Sequence, residues 1–528
     1  MAWLDRFSSV CSHRFSRPCK GIGSGVLSRT AIIAGLSLGI VALAVGCGNQ
    51  YRPVVTPLYP TGPAGQPTAY ITVYSQPGFT QYTGGGNPCP TTSYSTPSVI
   101  TLLDFAGDTI LSEAQGGYGP LTFSLEQGAA QTFSPNCDGT LTTAPNSPGT
   151  SDSGLITKEI QTSTLLPGSE PTNVLLNDSD LYVTEAGLHG PTCLTTNCVA
   201  ELTGSPPALQ QEIPVAPSLV NLVSSGDSPR IYAISQGNSS GTPPQPAWGT
   251  CDDPSSVTAD GEADAIEASS NTISARLPLG ICPVYGLMLP STYRTFIMNR
   301  GGVGTVTVIN SQLNAIDTTF NTPNPTGTIK LGTATNPAGP VYADYYENGQ
   351  VLVTANYDSS TISIIDVSLD VYGNDSSAFG TVLATVNLAN GPGCPTGADT
   401  MCMHPVAVSV LQDGSRVYVA NQGDPAAGVA GSVEVVNLSN YTVESVIPLP
   451  SGFYPHAIGS VYNYPYGKVY VSSQYSPYLE IIYTNTDTIS DTADMQGDIV
   501  DMHVNYQNPS VSLSNFQVES RSVGSGAP

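Results

Sequence analysis

Positive charge is what this sequence has least of: 15 Lys and Arg stand against 40 Asp and Glu among 528 residues, a net charge of −25. A surface of that sign repels phosphates, which excludes nucleic acid as a partner and argues against adsorption to anionic lipid. Charge of either sign is sparse, at 10% of residues, while Pro and Gly number 44 and 54, so the chain is neither a charged disordered tail nor a helical bundle. Catalytic signatures are missing as well. There is no phosphate loop or paired dinucleotide glycine motif; Gly84-Gly85-Gly86 and Gly301-Gly302 precede no helical pattern and read as loop. Cysteines at zinc-site spacing with histidines nearby are also absent, so no metal or other cofactor is expected. What is present, 40% hydrophobic residues and 27 Tyr, suffices to bury the core of one large all-β body.

No apolar run reaches the ~20 residues that span a bilayer. Residues 1–30 carry five basic side chains and one acid, and Ala31 to Gly46 then form a 16-residue apolar run that ends at Cys47. That is the pattern of a secretory signal over residues 1–46. Small residues Ala44 and Gly46 before Cys47 resemble the lipobox of bacterial lipoproteins, in which the cysteine is lipidated and becomes the new N-terminus. Gly48 and Asn49 follow without an Asp, which by the same resemblance implies the outer membrane. The expectation is an exported protein, lipid-anchored to the cell envelope through Cys47 and held on a Pro/Gly-rich tether over residues 47–67. Without its signal the chain keeps 10 basic and 39 acidic residues, a net charge of −29.

Setting aside Cys11, Cys19 and Cys47 leaves eight cysteines, an even number that reads as disulfides in an exported chain. Cys193/Cys198 and Cys394/Cys402 are close enough to clip single loops. Connectivity among the rest is not fixed by sequence; Cys89–Cys137 and Cys251–Cys282 are the pairs adopted.

A period of some 50 to 65 residues recurs along the mature chain. Its clearest unit begins at Pro405 with Pro-Val-Ala-Val-Ser-Val and turns at Gln412-Asp413-Gly414. It continues as Arg416-Val-Tyr-Val-Ala-Asn421, then Ser432-Val-Glu-Val-Val-Asn437 and Thr442 to Pro448. Apolar and polar residues alternate in each piece, the pattern of a strand buried on one face, which gives four antiparallel strands A to D. A Pro before strand A and an aromatic in strand B mark seven copies: Pro120/Phe133, Pro171/Tyr182, Pro217/Tyr232, Pro283/Phe296, Pro340/Leu352 (Leu replacing the aromatic), Pro405/Tyr418 and Pro455/Tyr470. The chain also starts with a B-like strand, Ala69 to Tyr74, and ends with an A-like one, Ile499 to Val504. Together they complete one further blade and leave no long free edge. The expected fold is thus a single β-propeller over residues 68–508, eight-bladed rather than seven. Residues 509–528 form an edge strand or flexible tail. The weakest repeat is the one containing Thr132-Phe-Ser-Pro135, a poor strand on its own.

These residues resemble the bacterial propellers with Tyr-Val-Thr-Asn repeats, whose relatives include lactonase-like enzymes. The match is strongest at Arg416 to Gln422 and Lys468 to Ser473, good from about Pro217 onward, and faint over residues 68–170. The resemblance implies the propeller architecture.

In such a ring the A strands line the channel, and the B-to-C and D-to-A loops share one face, usually the binding face. Cys89, Cys137, Cys193, Cys198 and Cys251 fall in B-to-C loops, and Cys282, Cys394 and Cys402 in D-to-A loops. All eight therefore belong to that face, as do the long insertions Gly78–Pro97, Gly237–Gly261 and Gly391–His404. Catalytic candidates at the channel mouth are His404, His456, Arg300 and Asp501, with His503 in the closing strand and His189 in a loop. Pro455-His456-Ala457 resembles a common repeat word in the family, which weakens the catalytic reading of His456. Asp260-Gly-Glu262-Ala-Asp264 opens like a calcium loop, but Ala265 stands at the sixth position, where that motif needs its turn glycine, and Asn271 at the twelfth, where it needs a bidentate glutamate, so a solvated acidic loop is expected. The leading reading is a monomeric, non-enzymatic propeller that offers a stapled loop face to an envelope protein or glycan. The rivals are a lactonase-like or other hydrolytic propeller and a structural surface-layer component.

Overall fold

The computed structural model describes residues 69–506 apart from 79–88, 90–93, 126–130, 146–160, 225–227, 237–250, 252–256, 321–323, 347–349, 389–402, 425–428 and a few single or paired positions. Its strands form eight antiparallel sheets, seven of successive strands and one that joins the two ends of the chain, each of four strands except one extended to five. They are the blades of an eight-bladed β-propeller. The closing blade takes strand A from the C-terminal end, Asp498–Tyr506, and strands B to D from Ala69–Gln76, Val99–Asp104 and Thr109–Gln115. Tyr70 pairs with Asn505 and Val73 with Met502, so the ring is shut by a two-ended sheet rather than left with an edge.

Four more blades position the features discussed below. Blade 2 comprises Ser124–Leu125, Gln131–Pro135, Thr140–Pro145 and Gln161–Thr164. Blade 3 comprises Pro171–Asn177, Asp180–Glu185, Cys198–Thr203 and Ala208–Pro214. Blade 4 comprises Leu219–Val223, Arg230–Ser235, Asp260–Glu267 and Thr272–Ile281. Blade 5 has Pro283–Leu289, Arg294–Asn299 and Thr305–Asn310, and its outer strand is broken into Ala315–Ile316 and Thr328–Lys330, which both pair strand C. Blades 6, 7 and 8 open at Pro340, Pro405 and Pro455.

Two expectations about strands are corrected. Gln131–Pro135 is a full strand B, buried along almost its whole length: neighbouring blades cover it on both faces, which outweighs the poor intrinsic propensity of Ser134 and Pro135. Nor are strands A to C half-buried. Pro405–Val410 is buried at every position and Ser432–Asn437 at all but the last, whereas Thr442–Pro448 on the outside alternates. Inner strands are sandwiched between blades, and only the outermost meets water.

The repeated residues have identifiable physical roles. The B-strand aromatics are all buried, and the tyrosine hydroxyls among them reach the C-to-D turn of the next blade: Tyr182 donates to Asn271 (2.8 Å), Tyr418 to Asp487 (2.5 Å) and Tyr470 to Asp108 (3.2 Å). Two residues before each of the last two stands a cation for the same acceptor, giving Arg416–Asp487 at 2.8 Å and Lys468–Asp108 at 2.6 Å. The acceptors sit at positive φ (Asp108 52°, Asn271 51°, Asp487 49°), a left-handed turn position that Asp and Asn tolerate. One residue therefore closes its own hairpin and staples the neighbouring blade. At the opposite end of strand B, an asparagine clamps the B-to-C connection. Asn356 donates to Thr361 (3.0 Å) and Ser363 (2.9 Å), Asn299 to Thr305 (3.1 Å) and Thr307 (2.9 Å), and Asn136 to Thr140 (3.0 Å) and Thr142 (2.7 Å). The recurrent Tyr and Asn are thus explained by assembly of the ring.

Candidate functional site

The B-to-C and D-to-A connections form one face of the ring, and the disulfides gather there. Cys89–Cys137 links the B-to-C loops of the closing blade and blade 2, Cys251–Cys282 links the B-to-C loop of blade 4 to the start of blade 5, and Cys193–Cys198 clips one loop of blade 3. Two of these three therefore cross between blades. Cys47, Cys394 and Cys402 lie outside the described residues, as do the predicted signal, tether and tail and most of the Gly78–Pro97, Gly237–Gly261 and Gly391–His404 insertions.

The catalytic candidates do not converge on one point. The Arg300 side chain, nearly inaccessible, pairs with Asp358 (2.8 Å), donates to the Cys251 carbonyl (3.3 Å) and lies over the Tyr357 ring, 4.8 Å from its centre. His404 stacks on that same ring at 4.5 Å, with Nδ1 3.2 Å from the Tyr357 carbonyl oxygen, and the Tyr357 hydroxyl donates to Gln422 (3.2 Å). This ladder crosses blades 5, 6 and 7 and stiffens the loop face. It has the geometry of a brace, with the Arg300 guanidinium, His404 Nδ1 and the Tyr357 hydroxyl all engaged. His456 and Asp501 stand elsewhere, on the A strands of blade 8 and the closing blade. Desolvation pushes the His456 imidazole down to about 4 despite the nearby Asp501 carboxylate, so it is neutral at ordinary pH. Asp501 accepts from Thr122 (2.7 Å) and lies 3.3 Å from His503, whose ring packs on Phe123 at 4.3 Å. Those contacts join the closing blade to blade 2.

The acidic stretch at 260–264 is corrected from loop to strand: it begins strand C of blade 4. Asp260, Glu262 and Asp264 alternate because a strand repeats every two residues, which places all three on one side. Asp264 is fully buried, and desolvation raises its carboxyl to about 6, against the opposing pull of the Ala216 N–H, which donates to it at 2.6 Å. Beside it, between blades 3 and 4, opens a cavity of about 620 Å³. Thr196, Pro214 and Pro217 line one side, Asp260, Glu262 and Arg276 the other. The half-exposed Arg276 faces Glu262 (3.6 Å) and Asp264 (3.5 Å). The volume is within the range of small-ligand sites.

A second polar group lies on the blade 2 side of blade 3. His189 brings its Nε2 to 2.8 Å from Glu212 and 3.3 Å from Glu185, with Nδ1 3.0 Å from the Gly187 carbonyl oxygen. Desolvation opposes a charged imidazole there, but the hydrogen bonds and charges of Glu185 and Glu212 outweigh it and raise His189 to about 9. Burial raises the Glu185 carboxyl. The sequence places His189 in a loop and gives neither glutamate a signature. Glu185-x3-His189-x3-Cys193 was the visible trace, but its partner Glu212 comes from strand D, and that juxtaposition required the blade.

No family model matches the chain, and no curated protein matches it in sequence. Solved structures do match. They include apo AztD from Citrobacter koseri (12% identity, TM-score 0.50, 83% of this chain and 98% of that one). Dihydro-heme d1 dehydrogenase NirN in complex with DHE also matches (11%, 0.50, 84% and 76%), as does Sqt1 of Saccharomyces cerevisiae (8%, 0.50, 72% and 87%). At these identities the likeness shows the β-propeller fold alone.

Proposed function

We propose that the protein is a lipid-anchored propeller of the cell envelope, related to the Tyr-Val-Thr-Asn repeat group, whose stapled loop face binds a protein or glycan partner. The observation that carries the reading is the gathering of covalent and stacking braces around a cavity on one face. Every described disulfide, the Arg300–Tyr357–His404 ladder and the cavity between blades 3 and 4 belong to the B-to-C and D-to-A face. Loops held in one conformation lose less entropy on binding, which is how a rigid ring turns irregular loops into a recognition surface. A face of this kind can offer the ~800 Å² per partner that specific recognition commonly uses.

The test is retention of the full-length, detergent-extracted protein on insoluble envelope preparations, cell-wall glycan in one arm and outer-membrane fragments in the other. Wild type should be retained in one arm, and a variant with the Gly391–His404 loop shortened should not. His456→Ala should behave as wild type, since that imidazole lies on a channel strand. His404 is a poorer control because it stacks within the loop face. Loss of retention in His456→Ala, together with lactone hydrolysis by wild type that the variant lacks, would transfer the case to a hydrolytic propeller. Anchoring is tested separately: Cys47→Ser should release the protein from membranes.

A further inference from the structure

Strand B of blade 3 ends at Glu185, and the loop that follows is unusually constrained. Gly187 N–H donates to the Ser169 carbonyl (2.8 Å), Asn197 donates to the Ala186 carbonyl (2.6 Å), and His189 and Cys193 form a β-bridge closed by the Cys193–Cys198 disulfide. A Cβ at Gly187 would fall 1.9 Å from the Gly168 carbonyl oxygen, so the close approach of the two chains requires glycine. The loop is thereby fixed with His189 facing inward. Its Nδ1–H is directed at the Gly187 carbonyl, which leaves Nε2 pointed between two carboxylates. That orientation, one ring nitrogen anchored on a carbonyl and the other presented, is the one metal-ligating histidines adopt.

The Glu185 carboxylate is poorly satisfied as it stands, whereas Glu212 is hydrogen-bonded to His189. The Glu185 side chain is 0% exposed, and neither of its oxygens has a hydrogen-bond partner; its closest cationic neighbour is His189 Nε2 at 3.3 Å. Glu212 is 7% exposed. Two carboxylates and one imidazole nitrogen thus converge on one buried point where the Glu185 oxygens lack a donor, and a divalent cation placed there would supply what they lack.

We propose that Glu185, His189 and Glu212 bind one divalent transition-metal ion of the zinc class, with a fourth coordination position left open. The ligand atoms of this cluster, the Cys193 sulfur included, lie within 4.8 Å of one another. A tetrahedral ion at ~2.1 Å from each ligand needs separations of about 3.4 Å, so the Glu185–His189 spacing already fits and Glu212 swings outward by roughly half an ångström. One imidazole with two carboxylates suits zinc and its first-row neighbours. Calcium, which takes six to eight oxygens, finds too few. Cys193 is committed to its disulfide and offers no thiolate, so the protein supplies three ligands and water or a partner's group the fourth. The site lies on the loop face and stands whatever that face binds.

The experiment uses the full-length protein in detergent, stripped with chelator and with its disulfides intact, in equilibrium dialysis against Zn²⁺. One tightly held ion per chain is expected, resistant to excess Ca²⁺, together with a rise in melting temperature. Glu185→Gln and His189→Gln should each weaken binding by about a hundredfold or more, beyond the tenfold to hundredfold typical of losing a mere supporting contact. Substituting Co²⁺ should give visible absorption bands in wild type that His189→Gln lacks. Because Glu185 is buried, its variant is checked for folding by circular dichroism; should it misfold, Glu212→Gln, at the rim of the site, decides. Absence of stoichiometric Zn²⁺, displacement by Ca²⁺, or equal binding by the folded variants would each overturn the proposal.

Discussion

The staple between Lys468 and Asp108 joins blade 8 to the closing blade, so it bears directly on how the ring is held shut. Both side chains are almost wholly buried, 1% and 3% exposed, and their ion pair measures 2.6 Å. Lys468 also donates to the Phe105 carbonyl (2.7 Å), and Tyr470 and Tyr483 donate to the Asp108 carboxylate (3.2 and 3.4 Å). Burial is the main influence on each partner: it lowers the Lys468 ammonium and raises the Asp108 carboxyl, in both cases against the attraction of the other. Desolvation therefore consumes most of what the attraction supplies. Removing one partner should then be far worse than removing both. Lys468→Met leaves a buried carboxylate without its cation and should cost ~3–5 kcal/mol. Lys468→Met with Asp108→Asn, which keeps a residue suited to φ 52° and an acceptor for Tyr470, should recover most of that loss. Urea unfolding followed by tyrosine fluorescence gives the midpoints of wild type, both single variants and the double. If the double variant is as unstable as the sum of the two singles, the pair is uncoupled and the account of the staple is wrong.

Three further outcomes are expected. Cys251→Ser with Cys282→Ser opens a 31-residue separation and should lower stability by about 3–4 kcal/mol, seen as an earlier urea midpoint that reductant no longer shifts at this bridge. His456, with a folded pKa of about 4 against an ordinary 6.5, binds fewer protons folded than unfolded between those values. It should therefore erode stability by roughly 2–3 kcal/mol as pH falls from 6.5 to 4, and His456→Asn should flatten that part of the curve. Asp264, raised to about 6, acts in the opposite sense: its burial costs stability above that pH and is relieved on acidification, so Asp264→Asn should show its largest relative gain at pH 8 and none at pH 3.

The sequence carried the ring because its repeat is itself a packing rule. A Pro opening strand A, a Tyr inside strand B and an Asn at that strand's end recur because every blade must meet the next in the same way. Tyr418 and Asn421 each have a structural partner in the repeat, Asp487 in the following blade and Glu434 across the B-to-C turn. Blade 2 was faint because its strand A is reduced to Ser124–Leu125 and Pro120 contributes a lone bridge to Asn136. The loop face was legible only as an address for cysteines. Arg300 and His404 are 104 positions apart, and nothing in their spacing announces that one aromatic ring, Tyr357, lies between them. The acidic run at 260–264 was misread for a different reason: alternating acids suit both a calcium loop and a strand, and only pairing with Arg230–Ser235 decides between them. Glu185 and Glu212 escaped notice because a buried carboxylate has no signature before its surroundings are known.

The claim that the loop face binds is tested most directly by hydrogen exchange on the full-length protein with and without the envelope fraction that retains it. Recognition at this face predicts slowed exchange in the B-to-C and D-to-A connections, at residues 186–197, 214–218 and 300–304, with the C-to-D turns around Asp108, Asn271 and Asp487 unchanged. Protection confined to those turns, or to the A strands that line the channel, would contradict it.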